Sequence, residues 1–290
     1  MEPPLDEFYR KIASNLIASY KSDDDPFLTS PGDFPYRPDT YQEFNYLRQI
    51  MFPNYFPTHQ TTFNLYELIK ILQNLTYLFN QGTNYDSKIS ENSVLEIFES
   101  FPNIREKLKK DVLAAFIGDP ADKNYTQIIR SYHGFFAIMI HRVVHELYIR
   151  GAVTYARELQ ERVHTLTGID INPGAKIDEY FFIDHGTGVV IGETSEIGKW
   201  VRIYQGVTLG ALKFKKVAYG MLQKDYKRHP TIGNYVVIGA GAKILGEISI
   251  GNNVNIGANT WIDFDVANNT SVFIGVHPQL KQIKHMKPSL

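Results

Sequence analysis

The sequence predicts an α+β chain: a helical N-terminal part followed by a parallel β-helix of six-residue repeats. Three observations carry that prediction. Aliphatic residues recur at a step of six: Ile171, Ile177 and Ile183, then after a two-residue slip Ile191, Ile197, Ile203 and Leu209. The step resumes at Ile232, Ile238, Ile244, Ile250, Ile256 and Ile262, with Ile274 two steps further on. Second, a small or β-branched residue stands four places after most of these, as at Ala175, Thr187, Val207, Ala242 and Val266, and glycine often follows the aliphatic directly. Third, the apolar spacing upstream of residue 165 is that of helices.

A step of six fits neither a 3.6-residue helix nor plain strand alternation. It fits short strands joined by tight bends and wound into stacked coils, three steps or about 18 residues to a coil. The aliphatic residue points to the axis at every step, and glycine at a bend tolerates the backbone that a β-carbon resists. The chain therefore divides into a helical part at 1–165, a β-helix at 166–276 and a tail at 277–290.

Composition narrows the function. With 290 residues and a formal net charge of −1, no overall field favours nucleic acid or a membrane surface. Cysteine is absent, which removes disulfides, thiolate metal sites and thiol nucleophiles together. The start, Met1-Glu-Pro-Pro-Leu-Asp-Glu, lacks the basic and apolar regions of a signal peptide. The apolar run near Gly134 to Ile140 is too short to cross a bilayer. The expectation is a soluble cytoplasmic protein.

Helical spacing covers Leu5 to Tyr20, and residues 22–41, rich in Asp, Pro and Ser, read as a linker. Helices follow at Tyr41–Met51, Phe63–Asn80, Ser90–Glu99 and Ile104–Ile117. Asp119 followed by Pro120 reads as an N-cap and first helical residue. A helix then runs from Tyr125 to His145, with a further one to His164. His141 and His145, four apart, share a helix face as metal ligands do. No third ligand stands at a diagnostic spacing, so a hydrogen-bonded structural role fits them better.

Titratable residues that interrupt the repeat are the candidates for chemistry: Asp170, Asp184 and His185 in the first coils, Arg228 and His229 after the lysine-rich break. Asp170 precedes His185 by 15 residues, less than one coil. A carboxylate there could hold one imidazole nitrogen and leave the other to accept a proton, as a general base acting on an alcohol requires. A surface histidine beside a solvated aspartate has the same spacing.

Here a resemblance becomes specific. Asp170-Ile-Asn-Pro-Gly-Ala-Lys-Ile177, Ile183-Asp-His-Gly-Thr-Gly-Val-Val-Ile-Gly-Glu-Thr194, Gln205-Gly-Val-Thr-Leu-Gly210, Arg228-His-Pro230 and Ile238-Gly-Ala-Gly-Ala-Lys-Ile-Leu-Gly246 resemble the serine O-acetyltransferases. Asp119-Pro-Ala-Asp-Lys and His133-Gly-Phe extend the likeness upstream, so that it covers roughly residues 115–276.

The resemblance implies a left-handed β-helix behind a helical domain, assembled as a homotrimer or a dimer of trimers, with sites between adjacent subunits. It implies acetyl transfer from acetyl-CoA to the hydroxyl of L-serine, giving O-acetylserine for cysteine synthesis, with no metal. On matching positions, His185 is the general base and Asp170 its orienting partner. Asp119 and Asp184 face the serine ammonium, and Arg228 and His229 hold its carboxylate. Gly210 and Ala211, with Ala240 and Ala258 on successive coils, would line the pantetheine arm; as small bend residues they also need no ligand to explain them. Some relatives dock a C-terminal peptide ending in isoleucine into cysteine synthase, whereas this chain ends in Leu290.

Three positions depart from the family: Asn172 stands where a histidine is usual, Gly210-Ala211 where Gly-Gly is usual, and the loop to Arg228 is longer. That loop carries Lys213, Lys215, Lys216, Lys224 and Lys227, and reads either as a basic flap for the phosphates of CoA or as a solvated insertion. Rival functions are an acetyltransferase for homoserine or a sugar, which shares His185 but need not combine Asp119 with Arg228, and a zinc carbonic anhydrase. The latter needs three histidines around a metal, and the repeat holds only His185 and His229 before His277. A non-catalytic trimeric scaffold is a third, against which the Asp-His pair counts.

Overall fold

A computed structural model of the chain describes residues 41–56, 65–84, 86 and 91–275, all within one compact unit. The helix expected at 5–20, the linker at 22–40 and the tail from residue 276 lie outside the described residues.

Six helices precede the strands: α1 (Tyr41–Met51), α2 (Leu65–Thr83), α3 (Glu91–Gly118), α4 (Tyr125–Ser131), α5 (His133–Ile149) and α6 (Val153–Thr167). The sequence divides α3 at Pro102, yet the helix is continuous. Val94, Ile97 and Phe101 on one side of the proline and Ile104, Leu108 and Val112 on the other are buried in one core. That burial outweighs the backbone bond and clash that proline costs, about 3 kcal/mol. Conversely, the helix expected from Tyr125 to His145 breaks at Tyr132, whose extended backbone (φ −73°, ψ 119°) separates α4 from α5. The N-cap of α4 is Asn124, whose side chain accepts from Gln127 N, and not Asp119. The first amides of α6 are satisfied from a distance: Thr154 N and Tyr155 N donate to the buried carboxylate of Asp86 at 3.0 Å each.

The strands wind into a left-handed parallel β-helix with three faces. The first stacks β1 (Asp170–Ile171), β4 (Val190–Ile191), β7 (Thr208–Gly210), β10 (Lys243–Leu245) and β13 (Trp261–Ile262). The second stacks β2 (Lys176–Ile177), β5 (Glu196–Ile197), β8 (Thr231–Ile232) and β11 (Ser249–Ile250). The third stacks β3 (Phe182–Ile183), β6 (Arg202–Ile203), β9 (Val237–Ile238), β12 (Asn255–Ile256) and β14 (Ser271–Val272). The register places like on like: Ile171 beside Ile191, Ile191 beside Leu209, Leu209 beside Ile244, and Ile244 beside Ile262. Nearly every axial aliphatic is buried, so the interior is one apolar column.

Two positions in the repeat are corrected. Thr187 is exposed and Val189 takes its interior place, because the two-residue slip lengthens the bend after Asp184. Ile274 is half exposed, while Val272 pairs with Ile256 and Val266 bridges to Ile250. The turn after Ile262 is two residues shorter than the count assumes.

Arg142 of α5 joins the helices to the first coil. Its guanidinium is buried against both carboxylate oxygens of Asp111 (2.7 and 2.9 Å) and donates to the carbonyls of Ile177 and Asp178. Asp111 also accepts from Phe181 N. Next to Arg142 in the chain, His141 meets the carbonyl of Ala175, and one turn further on His145 meets that of Pro173, the structural role expected of them. Gly134 lets α5 approach β3, since a β-carbon there would lie 2.1 Å from the carbonyl oxygen of Ile183.

Candidate active site

The functional side chains gather on two of the three edges of the prism. The bend between the third and first faces carries His185. The two inserted residues create it: His185 takes a positive φ of 58°, Gly186 and Gly188 follow at 88° and 77°, and Gly186 N turns back to Asp184 O at 2.7 Å. This projects the imidazole outward, 72% exposed. Its Nε2 lies 3.8 Å from Oδ1 of Asp184.

Asp119 reaches the same place from the end of α3. Its Oδ2 accepts from the Tyr132 hydroxyl at 2.6 Å and its Oδ1 from Ala121 N at 2.8 Å. The Tyr132 hydrogen bond, opposed by partial burial, holds this carboxyl below the usual range, with smaller help from His185 and Arg202. Asp184 moves the other way: burial pushes its carboxyl up, and the neighbouring charge of Asp119 adds to the rise. Two carboxylates beside one imidazole form a negative recess suited to an ammonium group.

Asp170 opens β1 on the same edge, tied through its backbone to Val189 O. No hydrogen bond or ion pair joins it to His185; its Oδ1 lies 3.5 Å from Nη1 of Arg157 on α6. Further along this edge Ala240 and Ala258 occupy successive coils, with Asn259 N bonded to Ala240 O at 2.8 Å. The coils stack closely here, since a β-carbon on Gly239 would approach Ala258 N to 2.6 Å.

The edge between the first and second faces carries the other set. Gly210 ends β7 there, Ala211 follows, and after the long loop the chain returns at Arg228 and His229. The loop is a short hairpin, with Lys216 bridged to Leu222 and Tyr219 fully exposed near its tip. Arg228 Nη2 pairs with Oε2 of Glu193, whose Oε1 accepts from the Tyr148 hydroxyl. His229 is buried against Gly192, where a β-carbon would come within 2.2 Å of Nε2. Its Nδ1 accepts from the backbone N–H of Thr194 at 3.1 Å, which leaves the proton on Nε2. Burial, seconded by the charge of Arg228, pushes the imidazole down to about 4, so at neutral pH it is a neutral donor.

The structure thus brings Asp119, Asp184 and His185 together, and separately Arg228 and His229. Within one chain a whole face, on the order of 15 Å, divides the two sets. A cleft of about 600 Å³ lies between α3, α5 and the second face, and its walls include none of the predicted site residues. Sequence reasoning gave no role to Tyr132, Tyr148, Glu193 and Thr194. Glu193 and Thr194 sit inside a quoted motif, but their partners lie 35 residues on in the chain.

The family described as "Serine acetyltransferase, N-terminal" matches residues 67–139, and "Bacterial transferase hexapeptide (six repeats)" matches residues 229–263. A serine acetyltransferase of Synechococcus elongatus, described as plasmid, is 51% identical over 164 residues, 57% of this chain and 51% of that protein. The match thus spans about half of that relative's length. A serine acetyltransferase of Bacillus licheniformis is 46% identical over 57% of this chain and 72% of its own length. Among solved structures, Entamoeba histolytica serine acetyltransferase 1 in complex with L-cysteine superposes with a TM-score of 0.77 at 44% identity, over 94% of this chain and all of that one. Isoform 3 from the same organism, in complex with cysteine, gives 0.73 at 41% identity over 94% of each chain.

Proposed function

Because this chain belongs to the serine acetyltransferase family, we propose that it transfers the acetyl group of acetyl-CoA to the hydroxyl of L-serine. The observation that carries the reading is the meeting of Asp119, Asp184 and His185 on one edge. The serine ammonium sits in the acidic recess, which places the serine Oγ beside an exposed imidazole. His185 takes the hydroxyl proton as Oγ attacks the thioester carbonyl carbon. The tetrahedral intermediate then expels the thiolate of CoA, and the imidazolium returns the proton to sulfur. Attack is direct, as suits a chain without cysteine.

The carboxylate of serine needs paired donors. Arg228 and the Nε2–H of His229 supply them, but from the other edge. Closure of the site therefore calls for a second copy, whose His229 edge faces the His185 edge of the first. A homotrimer satisfies this with identical contacts around a closed ring. Acetyl-CoA would run along the small residues Ala240 and Ala258, with Gly210 and Ala211 of the adjacent copy opposite. Cysteine carries the same ammonium and carboxylate as serine, so it competes for this recess, in keeping with the two Entamoeba relatives solved with cysteine bound.

The test is CoA release with a panel of acceptors, serine, homoserine and a galactoside, alongside the mass of the assembly in solution. Serine as the preferred acceptor in a trimer or a multiple of it supports the proposal. Preference for either other acceptor, or an active monomer, refutes it. Among the described residues no helix is long and apolar enough to cross a membrane.

A further inference from the structure

Asp170 has a charged neighbour that takes no part in the proposed acetyl transfer. Arg157, on the exposed side of α6, directs Nη1 to Asp170 Oδ1 at 3.5 Å and pairs Nη2 with Oε1 of Glu161 one turn along. The other oxygen of Glu161 faces Nδ1 of His164 at 3.3 Å. Glu161, His164 and Asp170 present three ligand-type atoms within 4.8 Å of one another, a set able to attract a cation. The guanidinium of Arg157 already stands among them, and its planar fork meets two carboxylates at once, as a lysine could not.

The backbone places this cluster beside the His185 bend. Gly188 N donates to Gly168 O at 2.8 Å and Asp170 N to Val189 O at 2.9 Å. Ile169 packs under the bend, its Cδ1 2.4 Å from where a β-carbon on Gly186 would lie. Oδ1 of Asp170 is engaged by Arg157, while Oδ2 has no hydrogen-bond partner among the described residues. The charged groups around this pair are Arg157, Glu161 and His164 from α6, and Asp184, with Asp119 and Arg202 behind it, on the side of His185.

We infer that Arg157 is a positioning residue that fixes Asp170 by one oxygen and so leaves the other turned to the imidazole of His185; this rests on the reading of His185 as the general base. An unrestrained aspartate on an exposed edge samples several rotamers. Tethered to a helix, it offers the imidazole one geometry.

The experiment is a double-mutant cycle on the full chain with Arg157→Ala, Asp170→Asn and both together, plus Arg157→Lys, read as steady-state acetyl transfer to serine across pH. Arg157→Ala should lower kcat roughly tenfold, the weight of one charge-assisted contact, with the serine KM within about twofold. Arg157→Lys should recover part of kcat. In the Asp170→Asn background Arg157→Ala should change nothing further. Effects that multiply in the double variant, or a raised serine KM with kcat intact, would overturn the inference. Thermal melts of each variant separate these outcomes from misfolding: a variant that melts with the parent yet shows the split supports it. Failure of the unmodified chain to acetylate serine would overturn the base assignment itself, and this inference with it.

Discussion

The hydroxyl of Tyr132 donates to Oδ2 of Asp119 at 2.6 Å, so the residue that breaks the helix between α4 and α5 also holds the carboxylate facing His185. Tyr132→Phe keeps the ring and removes the donor. The serine KM should rise roughly tenfold to a hundredfold with kcat nearly unchanged, because one hydrogen bond to a charged group is worth about 1.5–3 kcal/mol. A normal KM in this variant would detach Asp119 from the ammonium.

His185 is mostly exposed and its side chain holds nothing else in place. His185→Ala should therefore cost about 10²–10⁴ in kcat, the range of a general base, while assembly and melting temperature stay those of the parent. Progress curves check the first half of that statement, and light-scattering mass with a thermal melt checks the second. Retained turnover would eliminate the assigned base.

Gly192 matters for a residue 37 positions later. A β-carbon at 192 would come within 2.1 Å of the imidazole of His229, so Gly192→Ala must displace that ring. The expected result is a serine KM raised about tenfold or more, through loss of one charge-assisted donor to the carboxylate, with less change for acetyl-CoA. A larger effect on acetyl-CoA would contradict the carboxylate role.

His229 also predicts a pH dependence of stability. Its imidazole is near 4 when folded and 6.5 without the fold. Above pH 6.5 both states are neutral and the group contributes no pH dependence. As pH falls from 6.5 towards 4, the unfolded chain binds a proton that the folded chain refuses, so stability declines, by about 1–3 kcal/mol over that window. Urea midpoints for the parent should fall more between pH 7 and pH 5 than those for His229→Gln. Equal declines would remove His229 as the source.

Much of this was legible in the residues themselves. The step of six fixes the axial column because each face turns one such aliphatic inward per coil, and on either side of the slip and of the lysine-rich break Ile171 to Ile262 keep that place. Where the count failed, at Thr187 and Ile274, bends changed length, and bend length is set by hydrogen bonds between coils that no local pattern encodes. Pro102 shows the same limit from the other side. Propensity ends a helix there, and the core beneath Phe101 and Ile104 continues it.

The sequence by itself determined which groups the proposed chemistry draws on: a histidine where the repeat slips by two residues, acids near it in the chain, an Arg-His pair and no thiol. Only the tertiary structure decided how they are shared out. Six residues of strand and bend carry the chain across a whole face, so groups close in a motif list fall on separate edges. Asp119 joins His185 because Tyr132 and the packing of α5 on β3 bring a distant loop to that edge, whereas Arg228 and His229, nearer in sequence than Asp119, are carried away from it.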